Sequence, residues 1–287
     1  MNNIINGKEI SKIIKDEVKQ EIAHIKSING RIPYLAVIIV GDDEASHIYV
    51  KNKNRACEYV GIKTNTYFLE NSATEKEILN LIEELNGNDC INGILVQLPL
   101  PSHIDEKKVL LKIDPLKDVD GFHPYNIGML STNNPILKSC TPYGCIELLK
   151  RYNIEIKGKN ALIIGRSNIV GKPLYMMLLN EDATVTMAHT KTENLEYLTK
   201  QADIIIVAIG VANFLKPHMI KEGVILIDVG INRQDNKLYG DIDFACSQKA
   251  SFITPVPAGV GPMTIAMLMK NCLIAYKMQN NINAKEN

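Results

Sequence analysis

The chain has no excess of charge of either sign, because 32 basic side chains balance 32 acidic ones over 287 residues. This balance argues against a nucleic-acid or membrane surface driven by net charge, although a local basic pocket is still compatible with it. No apolar run approaches the roughly 18 residues that cross a bilayer. The N-terminal MNNIINGKEI lacks the basic segment and apolar stretch of a signal peptide. We therefore expect a cytoplasmic protein that binds neither nucleic acid nor a membrane.

The usual sequence signs of a metal site or a disulfide framework are also missing. The six cysteines include no C-x-x-C pair, and no histidine stands at metal-ligand spacing from two of them. Scattered thiols in a chain of this length are most often small buried hydrophobes that stay reduced. The sequence predicts no metal and no disulfide.

Two patterns alternate along most of the chain. Residues 34–41 read YLAVIIVG, a continuous apolar run that is typical of a parallel strand buried on both faces. Residues 8–26 instead place isoleucine and valine at spacings of three and four, which indicates an amphipathic helix. Further strands are predicted at 64–69, at 90–97 (where the prolines of LPLP stop it), just before Gly165, and at 184–189, 203–210, 223–230 and 251–257. Further helices are predicted near 46–60, after Thr74, and near 142–152, 172–179, 193–201 and 262–278.

This alternation predicts an α/β protein, with parallel sheets covered by helices on both faces. Ligands of such folds bind outside the carboxyl ends of the strands. We predict two α/β domains. Residues 1–139, joined by a C-terminal helix of about 263–287, form a catalytic domain, and residues 140–262 form a Rossmann-type dinucleotide-binding domain.

The segment GRSNIVG at 165–171 follows a predicted strand and opens a predicted helix. Gly165 can make a tight turn there, and the helix N-terminus offers N–H groups to a phosphate. Ser167 occupies the second glycine position of the usual motif, and a strand–turn–helix junction with two glycines is also common as plain structural punctuation.

The end of the next predicted strand favours NADP over NAD. An NAD site places a carboxylate about 20 residues beyond the glycine loop, to hold the ribose 2′-hydroxyl. Here Thr190 and Lys191 stand in that region instead, and together with Arg166 they suit a 2′-phosphate. The alternative is that these are loop residues facing water. Further on, Ile231 in DVGIN could lie against the nicotinamide ring.

Tyr49 and Lys53 lie one helical turn apart, on one face of a helix that follows the strand at 34–41. Within a run of charges, the alternative is a solvated face. Gln97 ends another predicted strand, where a buried amide needs partners, either at this edge or in loop backbone.

Two loops are further candidates. Asp118 and Asp120 in KDVDGFHP could bind a metal, fix the N–H groups of a heterocycle, or build Asx turns, and the isolated His123 argues against the metal. In TPVPAGVGPMT at 254–264, Gly259 and Gly261 would let the backbone approach a ligand, or the segment is only a rigid connector.

These motifs occur together and in the order of one known family. The chain resembles the bifunctional methylenetetrahydrofolate dehydrogenase/methenyltetrahydrofolate cyclohydrolases over essentially its whole length. The resemblance rests on YVKNK (49–53), VQLPLP (96–101), KDVDGFHPYNIG (117–128), CTPYG (140–144), GRSNIVGKP (165–173), DVGIN (228–232) and TPVPAGVGPMT (254–264).

The resemblance implies a homodimeric enzyme with a folate cleft between its two domains. It implies that 5,10-methylenetetrahydrofolate is oxidised with NADP, and that the 5,10-methenyl product is hydrolysed to 10-formyltetrahydrofolate. By this resemblance Lys53 is the general acid/base, Gln97 its partner, Tyr49 a platform for the folate ring system and Asp120 the pterin anchor. The other implied folate contacts are Val96, Leu98, Pro257, Ala258, Gly259, Val260 and Gly261. The implied dinucleotide contacts are Gly165, Arg166, Ser167, Thr190 and Ile231.

One departure from the family pattern is visible, because Ala258 gives PAGVG where a second glycine is common. Alanine is unsuitable there only if the residue needs a positive φ, so we expect function to survive. Two other hypotheses stay open at this stage. One is a shikimate- or malic-type dehydrogenase acting on a hydroxy acid. The other is a non-catalytic folate-binding homologue. The joint presence of Tyr49, Lys53, Gln97 and Asp120 argues against it.

Overall fold

The structure is a computed structural model that describes residues 3–235 and 237–282. The helices, in chain order, are α1 (Gly7–Asn29), α2 (Glu44–Val60), α3 (Glu75–Gly87), α4 (Glu106–Lys112), α5 (Pro124–Ser131), α6 (Cys140–Arg151), α7 (Gly171–Asn180), α8 (Leu195–Gln201) and α9 (Val260–Gln279). The strands are β1 (Tyr34–Val40), β2 (Lys63–Leu69), β3 (Gly93–Val96), β4 (Asn160–Ile164), β5 (Thr184–Ala188), β6 (Ile204–Val207), β7 (Ile225–Asp228), β8 (Asn232–Gln234), β9 (Lys237–Tyr239) and β10 (Phe252–Ile253).

The chain divides into two compact units. The first unit contains Ile13–Lys138 and the described residues from Leu268 onward, and the second contains Ser139–Met267 and the described residues up to Lys12. The N-terminal segment belongs to the second unit because the N–H of Ile5 donates to Ile253 O at 2.8 Å. The functional division predicted for 1–139 with 263–287, and for 140–262, stays a prediction.

A parallel sheet in the order β2-β1-β3 forms the centre of the first unit. Leu35 to Ile39 of the central strand are at most 1% exposed, as expected of a strand buried on both faces. Asp43 accepts a hydrogen bond from the N–H of Ser46 and so begins α2 directly after the carboxyl end of β1. This connection places the YVKNK segment at that edge of the sheet.

A second parallel sheet, in the order β10-β7-β6-β4-β5, forms the centre of the second unit. The apolar strands β4, β6 and β7 pack into a core that also contains Leu215, Val224 and Cys246. Together with the first sheet, this arrangement confirms the predicted class of two α/β domains with parallel sheets. Within the residues that the structure describes, no helix is long and apolar enough to cross a membrane.

The elements differ from the prediction mainly where they are short. The strand predicted over 90–97, ahead of the two prolines, spans only Gly93–Val96. The strand predicted over 251–257 is reduced to Phe252–Ile253. Helices α4 and α5 and the hairpin of β8 and β9 were not predicted at all.

Candidate active site and dinucleotide loops

Helix α2 presents Tyr49 and Lys53 on one face, as the four-residue spacing predicts. The Tyr49 ring is 45% exposed and the Lys53 side chain is partly buried. Lys51, between them in sequence, is exposed. The structure therefore separates a solvated lysine from one whose ammonium group turns toward the sheet edge.

Lys53 Nζ donates a hydrogen bond to Gln97 Oε1 at 3.0 Å. The amide is held in this orientation because Gln97 Nε2 donates to Leu98 O at 2.7 Å, and its own N–H donates to Ile38 O at 2.8 Å. Since Gln97 is neutral, the lysine amine can lose a proton and still donate to the same oxygen. The pair is therefore suited to a lysine that changes its protonation state.

The two aspartates of KDVDGFHP have different roles. Asp118 is 2% exposed, and it accepts hydrogen bonds from the N–H of His123 at 2.8 Å and from Asn126 Nδ2 at 2.9 Å. It therefore stabilises the start of α5. Asp120 accepts no such hydrogen bond from the described part of the chain and is partly buried close to Lys53.

Burial raises the pKa of Asp120 to about 6; the Lys53 ammonium opposes this shift and the Asp118 carboxylate adds to it. Lys53, Gln97 and Asp120 thus converge at the carboxyl edge of the first sheet, with the Tyr49 ring one turn away. The convergence is the one that the sequence predicted, and the burial of Asp120 was not predictable from its position.

The segment that carries Asp120 is fixed by two residues that sequence reasoning missed. Lys117 Nζ donates to the carbonyl oxygens of Leu85, Asn86 and Asn88 at the C-terminus of α3, at 2.7–3.2 Å. Asn271 of α9 donates from Nδ2 to Val119 O at 2.8 Å. A signal existed for Asn271, since it is a polar residue inside a mostly apolar helical segment.

The two remaining predicted folate contacts of this unit, Val96 and Leu98, differ in how far their side chains are buried. Val96 is 2% exposed and packs in the core cluster of the first unit. Its side chain is therefore used for core packing. Leu98 is partly buried. Its carbonyl oxygen accepts the hydrogen bond from Gln97.

In the second unit, the glycines of GRSNIVG are required by close packing. Gly165 has φ +125°, and a Cβ there would lie 2.3 Å from Ala208 O. A Cβ on Gly171 would lie 2.4 Å from Gly165 O. The loop can therefore fold tightly between the ends of β4 and β6 only with glycine at both places.

The start of α7 corrects one detail of the sequence reasoning. Ser167 Oγ accepts hydrogen bonds from the N–H groups of Val170 at 3.1 Å and Gly171 at 3.3 Å, so these two donors are not unpaired. The Ser167 hydroxyl still has its own proton to donate. A phosphate at this loop would therefore meet the serine hydroxyl in place of those two amides.

The turn after β5 exposes the residues that were assigned to a 2′-phosphate. The N–H of His189 donates to Thr192 Oγ1 at 2.8 Å, which closes the turn. Thr190 and Lys191 are exposed on it, and Arg166 is exposed on the GRSNIVG loop. Over residues 3–235 and 237–282 no acidic side chain pairs with Arg166 or Lys191, so both cations remain available to an anion.

Ile231 and the 257–261 loop line one cavity of about 150 Å³ in the second unit. Ile231 is 48% exposed, and a Cβ on Gly261 would lie 3.5 Å from its Cδ1 atom. All five predicted loop residues, Pro257, Ala258, Gly259, Val260 and Gly261, line this cavity. Sequence positions separated by 26 residues and more are thus brought together by the adjacent ends of β7 and β10.

We expected alanine at position 258 to be suitable unless the residue needs a positive φ, and the structure shows that it does have one. Its φ is +81°, so this alanine does occupy the left-handed region that favours glycine. The conformation is held by α1, because the N–H of Lys8 donates to Ala258 O at 3.0 Å. A Cβ on Gly7 would lie 1.9 Å from Gly259 O, so the start of α1 also packs tightly on this loop.

Among the residues that the structure describes, no cluster of three or more histidine, cysteine or acidic side chains is arranged to hold a metal ion. Burial raises the pKa values of the Cys57 and Cys145 thiols to about 12 and that of Cys246 to about 11. These thiols therefore stay protonated and pack as small apolar groups.

Two sequence models of one family match the chain. The model described as tetrahydrofolate dehydrogenase/cyclohydrolase, catalytic domain, matches residues 5–120. The model described as tetrahydrofolate dehydrogenase/cyclohydrolase, NAD(P)-binding domain, matches residues 139–280. Together the two matches include every candidate residue described above.

Individual relatives agree with these matches. A protein named bifunctional protein FolD from Agathobacter rectalis is 56% identical over 279 residues, which cover 96% of this chain and 100% of that protein. The crystal structure of the bifunctional FolD methylenetetrahydrofolate dehydrogenase/cyclohydrolase from Campylobacter jejuni has a TM-score of 0.94 at 51% identity, covering 96% of this chain and 98% of that one. FolD from Trypanosoma brucei, solved with NADP cofactor and an inhibitor, has a TM-score of 0.92 at 36% identity, covering 97% and 99%.

Shikimate dehydrogenases are more distant. The enzyme from Thermus thermophilus in complex with shikimate has a TM-score of 0.53 at 15% identity, covering 87% of this chain and 93% of that one. Identity this low shows a likeness of fold alone. It gives no support to a hydroxy acid as the substrate of this chain.

Proposed function

Because the chain belongs to the tetrahydrofolate dehydrogenase/cyclohydrolase family, we propose that it catalyses two consecutive steps of one-carbon folate metabolism. It oxidises 5,10-methylenetetrahydrofolate to 5,10-methenyltetrahydrofolate with NADP, and it hydrolyses the product to 10-formyltetrahydrofolate. The observation that carries the proposal is the Lys53–Gln97 hydrogen bond beside Asp120.

The hydrolytic step needs a group that moves protons. Water that adds to the methenyl carbon must lose a proton, and a ring nitrogen must accept one as the ring opens. Lys53 is the general acid/base of this step. Its amine takes one proton of the attacking water, and its ammonium form returns that proton to the ring nitrogen as the carbon–nitrogen bond breaks. The second proton of the water leaves to solvent as the formyl carbonyl forms. Gln97 orients the amine in both forms without adding a charge.

The other candidates of the first unit bind the substrate. The exposed Tyr49 ring offers an apolar face on which a flat heterocycle can stack. The Asp120 carboxylate, for which no hydrogen bond is found among the described residues, accepts hydrogen bonds from N–H groups of the pterin. Val96 and Leu98 contribute further folate contacts at the end of β3. The folate contacts of Pro257 to Gly261 stay a prediction that rests on the family.

The oxidation step requires positioning and no protein acid or base, because the neighbouring nitrogens stabilise the cation that remains when the hydride leaves. Gly165 lets the loop turn tightly against Ala208 between β4 and β6, which fits the strand–turn–helix start of a dinucleotide-binding fold. NADP supplies the hydride acceptor when it is bound. Arg166 and Thr190 would hold its 2′-phosphate, Ser167 its pyrophosphate, and Ile231 would pack against its nicotinamide.

The preference for NADP follows from charge. In the described chain, the exposed Arg166 and Lys191 have no acidic partner, and Thr190 supplies a hydroxyl next to Lys191. A carboxylate at this place would repel a 2′-phosphate, and two cations attract it.

Two further features of the proposal concern the setting of the enzyme. It works as a homodimer in the cytoplasm. The dimer is supported by large apolar side chains that stay exposed on the second unit, including Leu238 at 42% and Phe244 at 54%. The cytoplasmic setting is supported by the buried, protonated thiols of Cys57, Cys145 and Cys246.

Replacing Lys53 by methionine tests the proposal. Methionine keeps the length of the side chain and removes the proton carrier, so we expect hydrolysis of methenyltetrahydrofolate to fall at least 100-fold, in line with the loss of a general acid/base. Binding of NADP should stay within twofold. The measurements are the decay of methenyltetrahydrofolate absorbance and a fluorescence titration with NADP.

The matched control is Lys51→Met, which removes an exposed lysine from the same helix. It should hydrolyse the methenyl substrate at the wild-type rate. A Lys53→Met enzyme with undiminished hydrolysis would refute the assignment of Lys53. A wild-type enzyme that reduces neither NADP nor NAD in the presence of methylenetetrahydrofolate would refute the dehydrogenase function.

A further inference from the structure

Asp241, in the loop after β9, is fully buried in the second unit and is the centre of a hydrogen-bond network. The N–H groups of Ile209 and Gly210 donate to its Oδ2 atom at 2.7 and 3.0 Å. The N–H of Val211 and Nδ2 of Asn232 donate to its Oδ1 atom, each at 2.9 Å. One side chain therefore fixes three successive amides after β6 and the residue next to Ile231.

A second buried carboxylate holds Asp241 in place. Asp228, at the end of β7, is 3% exposed and accepts hydrogen bonds from the N–H groups of Asp241 at 2.8 Å and Ile242 at 2.8 Å. It also accepts from the N–H of Gly230 at 3.0 Å. The two aspartates thus connect the loops that follow β6 and β7 with the loop that follows β9.

The neighbouring glycines are fitted to these carboxylates. A Cβ on Gly230 would lie 2.1 Å from Asp241 Oδ1, and a Cβ on Gly240 would lie 1.8 Å from Asp228 Oδ2. The motifs DVGIN and GDID are therefore halves of one arrangement, in which each glycine makes room for the aspartate of the other. Neither motif shows this in the sequence, because 13 positions separate the two aspartates.

The amides that Asp241 fixes lie where this fold binds dinucleotides. The strand order β10-β7-β6-β4-β5 reverses direction at β4, since β5 lies on one side of it and β6 on the other. Ligands of such sheets bind outside the carboxyl ends of the two strands at this reversal. Ala208 follows β6 there, and its carbonyl oxygen is the atom closest to the Cβ position of Gly165.

We propose that Asp241 is a positioning residue for the dinucleotide, which fixes residues 209–211 and, through Asn232, the setting of Ile231. This inference rests on the proposed NADP-dependent activity. Asp241 itself touches no reacting atom, because it is enclosed by its own loops. Its contribution is to hold the backbone next to the cofactor in a single conformation before binding.

The test is Asp241→Asn, which keeps the shape of the side chain but turns an NH₂ group toward two of the four donors. We expect the KM for NADP to rise at least tenfold, while the KM for methylenetetrahydrofolate stays within twofold. Hydrolysis of methenyltetrahydrofolate, whose proposed proton carrier Lys53 is in the first unit, should also stay within twofold. A general loss of stability would change both activities together, so this split separates positioning from folding.

The control is Asp243→Asn, two residues along the chain. Asp243 accepts from the N–H of Ala245 at 3.0 Å and pairs with Lys216 at 3.1 Å, and it contacts none of the 209–211 amides. Its replacement should leave the KM for NADP unchanged. If Asp241→Asn does not fold, Asn232→Ala provides the test. It removes one of the four donors to Asp241 and should raise the KM for NADP about threefold.

The outcomes also separate this inference from the proposed function. A wild-type enzyme that does not reduce NADP refutes the function itself. A wild-type enzyme that reduces NADP, together with a folded Asp241→Asn variant whose KM for NADP is unchanged, overturns the positioning role alone. If Asp241→Asn does not fold, an unchanged KM in Asn232→Ala overturns it instead.

Discussion

At the scale of single residues, Asp120 combines a proposed binding role with an energetic cost to the fold. Its carboxyl group is partly buried, and burial raises its pKa from the usual 3.8 to about 6. The ionised form is the one that accepts hydrogen bonds from a pterin, yet it is the form that the folded protein disfavours in the absence of ligand. Binding residues that cost stability in this way are common in enzymes.

The pH dependence of Asp120→Asn tests this cost. Below about pH 4 the carboxyl is protonated in both the folded and unfolded chain, and its contribution to stability is fully present. As the pH rises through about 6 this contribution is lost, by on the order of 2–3 kcal/mol at most. The variant has no such loss, so its Tm relative to wild type should increase from pH 4 to pH 7.5.

Thermal denaturation of both proteins across this range provides the measurement. Lys53→Met supplies a second comparison, since it removes the ammonium that lowers the pKa of Asp120. In that background the gain from Asp120→Asn should be larger and should continue to grow up to a higher pH. A difference in Tm that does not vary with pH would contradict the raised pKa.

The candidate site could be predicted from the sequence as far as helical spacing and strand ends allow. Tyr49 and Lys53 share a face because they are four residues apart, and Gln97 reaches Lys53 because α2 begins at the sheet edge where β3 ends. The different roles of Asp118 and Asp120 could not be predicted, because they depend on which carboxylate meets the N–H of His123. The positive φ of Ala258 likewise depends on contacts with α1, 250 positions away in the chain.

At the scale of elements, the loop before α9 places an alanine where the backbone favours glycine. Ala258 has φ +81°, and this conformation costs a residue with a Cβ about 1–2 kcal/mol. Glycine removes that cost. It also makes the unfolded chain more flexible, which destabilises the folded protein by roughly 0.5–1 kcal/mol. We expect Ala258→Gly to raise the free energy of unfolding by about 0.5–1 kcal/mol, measured by urea denaturation, and to leave both activities within a few-fold of wild type.

The control for this loop is Ala245→Gly, an exposed alanine in the short 3-10 helix Phe244–Gln248. Its φ is not positive, so glycine there adds only flexibility and should lower the free energy of unfolding by about 0.5–1 kcal/mol. Opposite signs for the two substitutions are therefore expected. Equal destabilisation by both would mean that Ala258 is not strained.

Elements could be predicted from the sequence where a long apolar pattern exists. Strand β1 is a continuous buried run, and α1 shows its helical spacing over more than five turns. Helices α4 and α5 have seven and eight residues and α5 starts at Pro124, so neither displays enough periodicity to detect. Strands β8 and β9 have three residues each and turn at Asp235, which has a positive φ.

At the scale of the whole molecule, exposed apolar side chains bear on the proposed assembly. Leu238 and Phe244 are 42% and 54% exposed and line a common cavity of about 240 Å³ in the second unit. The chain has no net charge, so long-range repulsion does not oppose the association of two copies. A patch of this kind on a two-fold axis would contact its own copy, because the same surface faces itself across the axis.

Light scattering coupled to size-exclusion chromatography tests the dimer. We expect the wild-type protein to elute at twice the chain mass of 32.0 kDa. The double variant Leu238→Glu, Phe244→Glu places charges on the patch and should shift the protein to the mass of one chain, because burying unpaired carboxylates costs several kcal/mol. Tyr197→Glu, at a side chain that is 66% exposed on α8, should leave the dimer intact. A wild-type protein with the mass of one chain at about 20 μM would contradict the dimer, since stable interfaces of standard size bind well below that concentration.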